Sequence, residues 1–316
     1  MPFKNKAFVY FFVKLVVSII LVRWLINNVD SVAMIKTFKT FSWQTFAAAF
    51  ASLWCSYILG AWRWRCILLK RENGTFRFKD SLLIVAIGNF LNQGLPGSVG
   101  GDVYRGFALT RLGFSRTWAI QSLILDRIIG LFFMGLMGVL SLFSFDVAFL
   151  SQKELFPMYA VLFSICLGFS LFCQLDRLPL TGKIQKLVAP IQTMAVISRQ
   201  LFHVQNMPFI LVGFALTFFL YLPVYLFACE LGYQLSLAAV LFVLPTVFLL
   251  SFLPISFAGW GVREVAFVSL FKFFGLPSEQ ALSLSVAYGL VSLLAVMPGV
   301  LLYFFDGKKA GVSVRG

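Results

Sequence analysis

Apolar residues along this chain come in long uninterrupted runs, without the strict alternation of a half-buried strand or the narrow stripe of a soluble helix. Runs at roughly 7–27, 42–62, 118–145, 156–174, 208–229 and 280–304 are each long enough as helices to cross about 30 Å of hydrocarbon, which predicts six full spans. Two further apolar segments are broken. Residues Asp80 to Leu95 rise only about 24 Å as helix, then meet Pro96, Gly97, Gly100 and Gly101, after which 103–112 carries Arg105 and Arg111. Residues 235–252 likewise run into Leu253-Pro-Ile-Ser-Phe-Ala-Gly-Trp-Gly-Val-Arg-Glu264. Proline removes a backbone donor and glycine admits unusual backbone angles, so each helix should stop with carbonyls unpaired. Irregular backbone at membrane depth is stable only where protein buries it or a wet cavity adjoins it. Each break is therefore read as the tip of a re-entrant hairpin, a place for a polar ligand.

Basic residues assign the sides. Arg63, Arg65, Lys70, Arg71, Arg77 and Lys79 follow the second run and mark a cytoplasmic loop, as do Arg177, Lys183, Lys186 and Arg199 after the fourth. Lys4 and Lys6 then put the amino terminus inside, and Lys308, Lys309 and Arg315 do the same for the carboxy terminus. The segment after the fifth span is readable as a full span or a hairpin. The carboxy-terminal charges require residues 235–275 to enter and leave from outside, which makes it a hairpin. Lys14 and Arg23 should snorkel to the two interfaces, and Pro157, Pro223 and Pro245 should only bend their spans. Ile184, Leu187, Val188 and Ile191 recur at helical spacing opposite lysines, predicting a short interfacial connector interrupted at Pro190.

Leu95, Pro96, Ser98 and Gly101 match Leu253, Pro254, Ser256 and Gly259 at one constant separation, while Gly113, Ala119 and Leu131 match Gly275, Ala281 and Leu293 at another. Each half reads span, span, hairpin, span, the first beginning inside and the second outside. The expected fold is an all-α polytopic membrane protein of about six full spans plus two re-entrant helical hairpins arranged as an inverted repeat. Residues 1–316 form a single membrane domain with halves 1–150 and 151–316. Inverted halves with broken helices meeting near the midplane are a transporter design.

Composition agrees: 60% of residues are hydrophobic and 12% charged, and the mean hydropathy is +0.92. The first run is too long, and lacks a small-residue cleavage site, for a signal peptide. The net charge of +14 sits in short loops beside apolar runs, as the positive-inside rule requires, and does not indicate nucleic acid. Cys55, Cys66, Cys166, Cys173 and Cys229 are scattered and His203 is the sole histidine, so neither a metal site, a disulfide framework nor a cofactor is expected.

A charge at the bilayer centre costs about 2.5 to 3.5 kcal/mol, so Asp102, Arg105, Asp126, Arg127, Arg263 and Glu264 need partners or water. One reading is mutual pairing, Asp126 with Arg105 and Glu264 with Arg263 or Arg127. The other leaves arginines available for an anionic group, helped by backbone N–H groups at the starts of the second arms. A guanidinium suits phosphate because its planar fork donates two hydrogen bonds at once. The two readings are compatible. Asn89 and Gln93 share a helical face, and with Asn92 either line a head-group path or satisfy the broken backbone. Ser98 and Ser256 should cap the second arms, and Trp260 is either a gate or an interfacial anchor.

Leu-Pro-Gly-Ser-Val-Gly-Gly-Asp-Val-Tyr-Arg at 95–105, which adds Tyr104 to the candidate substrate-binding residues, Asp126-Arg127 followed by Gly130-Leu131, and Gly259-Trp-Gly-Val-Arg-Glu264 resemble the lysylphosphatidylglycerol synthase transmembrane region. This is the flippase-like domain of the multiple peptide resistance factors. Arg-Trp-Arg at 63–65 looks like the end of that family's second span. The resemblance covers nearly the whole chain and implies a protein of the bacterial or archaeal cytoplasmic membrane that moves a lipid, its central polar motifs lining the route. No soluble aminoacyl-transferase domain is expected after span six, so the resemblance carries no expectation of lipid aminoacylation. The expected function is a lipid flippase working by alternating access on a phosphate-containing head group. Its expected partners are membrane lipids, with a homo-oligomer or a lipid-modifying enzyme left open. The alternatives are a membrane-embedded transferase acting on a lipid-linked substrate, which should cluster its acids at an aqueous face, and a scaffold for a separate synthase.

Overall fold

Backbone N–H and C=O groups have no water to bond in hydrocarbon, so a helix, which pairs them within its own segment, is the stable form of an apolar run. The computed structural model describes residues 20, 23, 30–71, 76–94, 100–144, 152–179, 181–232, 235–252 and 261–306. The first expected span, 7–27, lies almost wholly outside the described residues, as do both Pro/Gly tips. Among the described residues there are eleven α-helices and no strand. They are α1 (Ser31–Phe38), α2 (Trp43–Leu68), α3 (Phe78–Gly94), α4 (Gly100–Arg111), α5 (Arg116–Ser141), α6 (Gln152–Phe172), α7 (Gly182–Leu201), α8 (Met207–Glu230), α9 (Leu237–Phe252), α10 (Val262–Phe271) and α11 (Ser278–Asp306).

Five helical segments are long and apolar enough to cross a membrane: Trp43–Leu68, Arg116–Ser141, Leu155–Arg177, Val204–Glu230 and Ser278–Phe304. The other deeply packed helices are short. At 12 and 10 residues, α4 and α10 rise only about 18 and 15 Å, so neither crosses alone. Before each break, α3 has 17 residues and α9 has 16.

The helices pack as a connected bundle. α2 lies along α8; α3 packs against α2, α4 and α11; α4 against α5; α9 against α5, α8 and α10; and α10 against α11. α5 and α11 each also touch both α2 and α8. Close approach depends on glycine. A Cβ on Gly101 would lie 1.9 Å from the Gly88 carbonyl oxygen, so only glycine lets α4 fold back along α3. A Cβ on Gly299 would lie 2.4 Å from the Ala86 carbonyl oxygen, and the same logic seats α11 on α3. Hydroxyls tie the bundle across helices: Ser52 Oγ donates to the Phe219 carbonyl and Ser81 Oγ to the Ala61 carbonyl, each at 2.7 Å.

Two apolar clusters form the core. One joins the start of α2 to the end of α8, α9, α10 and the first half of α11. The other joins the end of α2, α3, the first half of α5 and the start of α8.

Two expectations need correction. α2 does not end at 62; it continues to Leu68, because Cys66, Ile67 and Leu68 prolong the apolar run past two arginines. Arg63 is consequently a buried helical residue and not part of a loop. α7 also runs through Pro190 without interruption. Its second half is buried through Met194, Ala195, Ile197 and Leu201, while Ile184, Leu187 and Ile191 stay exposed. Gln121 of α5 explains the docking, since its Oε1 accepts from Arg71 Nη1 at 2.9 Å and its Nε2 donates to the Pro190 carbonyl at 3.2 Å.

Candidate functional site

Three helices bring five charges into one chain of ion pairs. Asp126, near the middle of the 26-residue α5, accepts from Arg63 Nε at 3.0 Å through Oδ1, which also lies 2.9 Å from Nη2. Its Oδ2 accepts from Arg105 Nη2 at 3.3 Å. Arg63 Nη2 additionally donates to the Asp126 carbonyl at 3.3 Å. Arg105 Nη1 lies 3.6 Å from Asp102 Oδ1, one turn earlier on α4, and its guanidinium carbon sits 4.1 Å from the centre of the Trp64 ring. Asp102 Oδ2 in turn accepts from Arg127 Nε at 2.6 Å and pairs with Arg127 Nη2.

The order is Arg63, Asp126, Arg105, Asp102, Arg127. Among the described residues these are three arginines and two aspartates, a formal excess of one positive unit. Among the described residues, Arg63 Nη1 and Arg105 Nε are buried without a hydrogen-bond partner. The two ends differ in access. The Arg63 side chain is 7% exposed, whereas that of Arg127 is 43% exposed although paired.

A second, smaller group stands at the start of α10. Glu264 Oε1 accepts from Arg263 Nη2 at 2.6 Å and Nε at 3.1 Å, and from Ser285 Oγ at 3.3 Å. Its Oε2 accepts from the Gly261 N–H at 2.6 Å. Glu264 thus both neutralises Arg263 and caps its own helix, where the dipole favours a negative charge. Gly261, at φ 88°, takes a left-handed conformation that glycine adopts without strain. Arg263 also stands 5.9 Å from the Tyr288 ring centre.

A cavity of about 240 Å³ opens where the ends of α3 and α9 approach α2, α5, α8 and α11. Asn89, Asn92 and Gln93 line it from α3, Ser251 from α9, and Tyr57, Tyr288 and Ser292 from the spans. Among the described residues, its charged lining side chains are both arginines, Arg127 and Arg263. Tyr57, Arg127, Leu220 and Ser292 all fall near the middles of their long helices, which sets the cavity at mid-depth of the bundle.

Most of the candidates gather here. Asn89, Asn92, Gln93, Arg127 and Arg263 line the cavity, and Asp102, Arg105 and Asp126 stand behind Arg127 in the ion-pair chain. Asn92 also satisfies the broken backbone, its Oδ1 accepting from the Gly101 N–H at 2.8 Å. Glu264 pairs with Arg263 and not with Arg127. Tyr104 is set apart, its ring 6.4 Å from that of Tyr303. Ser98, Ser256 and Trp260 lie outside the described residues. Sequence reasoning missed Arg63, Trp64, Tyr57, Ser285 and Tyr288. For Arg63 a signal existed: Ser52, Ser56 and Arg63 fall on the buried face of α2. Among the described residues, no three His, Cys, Asp or Glu side chains stand close enough to hold a metal ion.

Long apolar helices, two broken-helix pairs and an arginine-rich polar centre define a polytopic helical membrane protein. The lysylphosphatidylglycerol synthase TM region family matches residues 11–299, and the chain belongs to that family. No curated protein and no solved structure matches it.

Proposed function

We propose that the protein is a flippase that moves a phosphate-containing lipid head group across the cytoplasmic membrane, through the cavity between its two broken-helix pairs. The observation that carries this reading is that both charged side chains lining the cavity are arginines, backed by an ion-pair chain with one excess positive charge. A guanidinium pair surrounded by amides and hydroxyls matches the acceptor-rich surface of a phosphate, and mid-depth is where the barrier to burying a head group is highest. Membership of a lysylphosphatidylglycerol synthase membrane family is consistent with a lipid ligand.

The two hairpins are re-entrant from opposite sides, and residues 1–150 and 151–316 are inverted halves with both termini cytoplasmic. Helix packing supports this. Exchanging α2, α3, α4 and α5 for α8, α9, α10 and α11 converts each of the contacts α2 with α3, α3 with α4, α4 with α5, and α3 with α11 into another observed contact. Arg105 and Arg263 share the separation of the two Leu-Pro motifs, while Asp126 and Tyr288 share the second separation. Arg105 reaches Asp126, and Arg263 stands against Tyr288. Rocking one half against the other would expose the cavity to each side in turn, while acyl chains stay in lipid.

The test is purified protein in liposomes carrying fluorescent phospholipids, with bleaching by dithionite. Accelerated loss of inner-leaflet fluorescence is expected, and Arg263→Gln should slow it at least tenfold. No acceleration over protein-free vesicles with anionic, zwitterionic and polyprenyl-linked lipids would overturn the proposal.

A further inference from the structure

Arg127 lines two spaces. Besides the central cavity, it borders a groove of about 560 Å³ between α4 and α5 on the outer surface of the bundle. Val103, Phe107, Ile120 and Ile124 line that groove and are 67%, 48%, 58% and 44% exposed. Such a surface is stable against hydrocarbon, so the groove faces the lipid. Among the described residues, Arg116, at the first turn of α5, and Arg127, three turns further along, are the cations on its wall, against one acid, Asp102.

We infer that this groove is a lateral portal that selects an anionic glycerophospholipid, one acyl chain lying along Val103, Phe107, Ile120 and Ile124 while the phosphate passes from Arg116 to Arg127. The inference deepens the flippase reading and rests on it for the direction of passage. Arg127 is suited to the transfer because it is the accessible end of the ion-pair chain and the one charged side chain common to both spaces. A phosphate arriving along the groove competes with Asp102 for the same guanidinium. Asp102 keeps Arg105 as its partner when Arg127 turns away, so no carboxylate is stranded. Charge complementarity selects the occupant: two cations against one acid favour a lipid with net negative charge over a zwitterion.

The rival occupant is the chain's own apolar run at 7–27. α1, which follows it, packs chiefly against α11.

The experiment places a photo-crosslinking residue at Ile124, and for comparison at Leu171, which is 57% exposed on α6 and away from the groove. The full chain is reconstituted in vesicles of phosphatidylethanolamine and phosphatidylglycerol, and adducts are identified by mass spectrometry. At Leu171 the adduct ratio should follow the vesicle composition. At Ile124 phosphatidylglycerol should be enriched at least threefold over that ratio, and Arg127→Gln should abolish the enrichment. Equal ratios at the two positions, or adducts to peptides from 7–27, would overturn the portal even in a protein that moves lipid. Enrichment without lipid movement would leave the portal standing and overturn the flippase reading.

Discussion

Asp126 has the most to hold in place among the charged residues. Its two oxygens neutralise arginines from different helices, Arg63 on α2 and Arg105 on α4, both nearly sealed from the surroundings. Removing one partner of a buried pair strands the other's charge. Asp126→Asn strands Arg63 and leaves Arg105 with Asp102 alone, and is expected to cost about 3 kcal/mol or more, read as a lower midpoint of thermal unfolding in detergent micelles. A midpoint equal to that of the parent protein would mean that the network carries no stability. Arg127 is the counterexample. Its half-exposed pair with Asp102 is of the kind that contributes about 1 kcal/mol or less, so Arg127→Gln should leave the unfolding midpoint nearly unchanged. Lipid movement by the same variant should fall at least tenfold, and a variant that moves lipid normally would remove Arg127 from the route.

Between helices, approach is governed by what a side chain would strike. A methyl group on Gly101 meets backbone, which cannot rotate aside, so Gly101→Ala must separate α4 from α3. Loss of folded protein is expected, measured as the monodisperse fraction on size-exclusion chromatography. Gly168 on α6 is the matched control, because a Cβ there meets nothing within 4 Å. Gly168→Ala should change stability by no more than about 1 kcal/mol. If both variants behaved alike, close backbone contact would not be what seats α4 on α3. This scale also separates what was readable from what was not. The ends of α3 at Gly94 and of α9 at Phe252 were legible because proline and glycine act locally. The passage of α7 through Pro190 was not, since its docking depends on Gln121, far away in the chain.

Across the whole molecule, the proposed inverted arrangement predicts something that no single helix carries. The α4 end of the first hairpin should face the cytoplasm and the α10 end of the second should face outside. Single cysteines replacing Arg111 and Lys272, in a chain whose five native cysteines are changed to serine, should label from opposite sides with an impermeant maleimide. Labelling of both positions from the same side would rule out inverted halves.

The sequence by itself determined the class of protein, the long apolar helices and where α3 and α9 end, because hydropathy, proline and glycine act through the solvent and the local backbone. It also named most of the charges that meet at mid-depth, since a charge inside an apolar run is conspicuous. Partner choice it left open. Whether Asp126 holds Arg105 alone or Arg63 as well, whether Arg127 or Arg263 answers Glu264, and whether Asn92 faces a cavity or caps a helix depend on which faces of separate helices meet. Those meetings are fixed by glycine contacts and side-chain packing between residues far apart in the chain, which only the tertiary structure supplies.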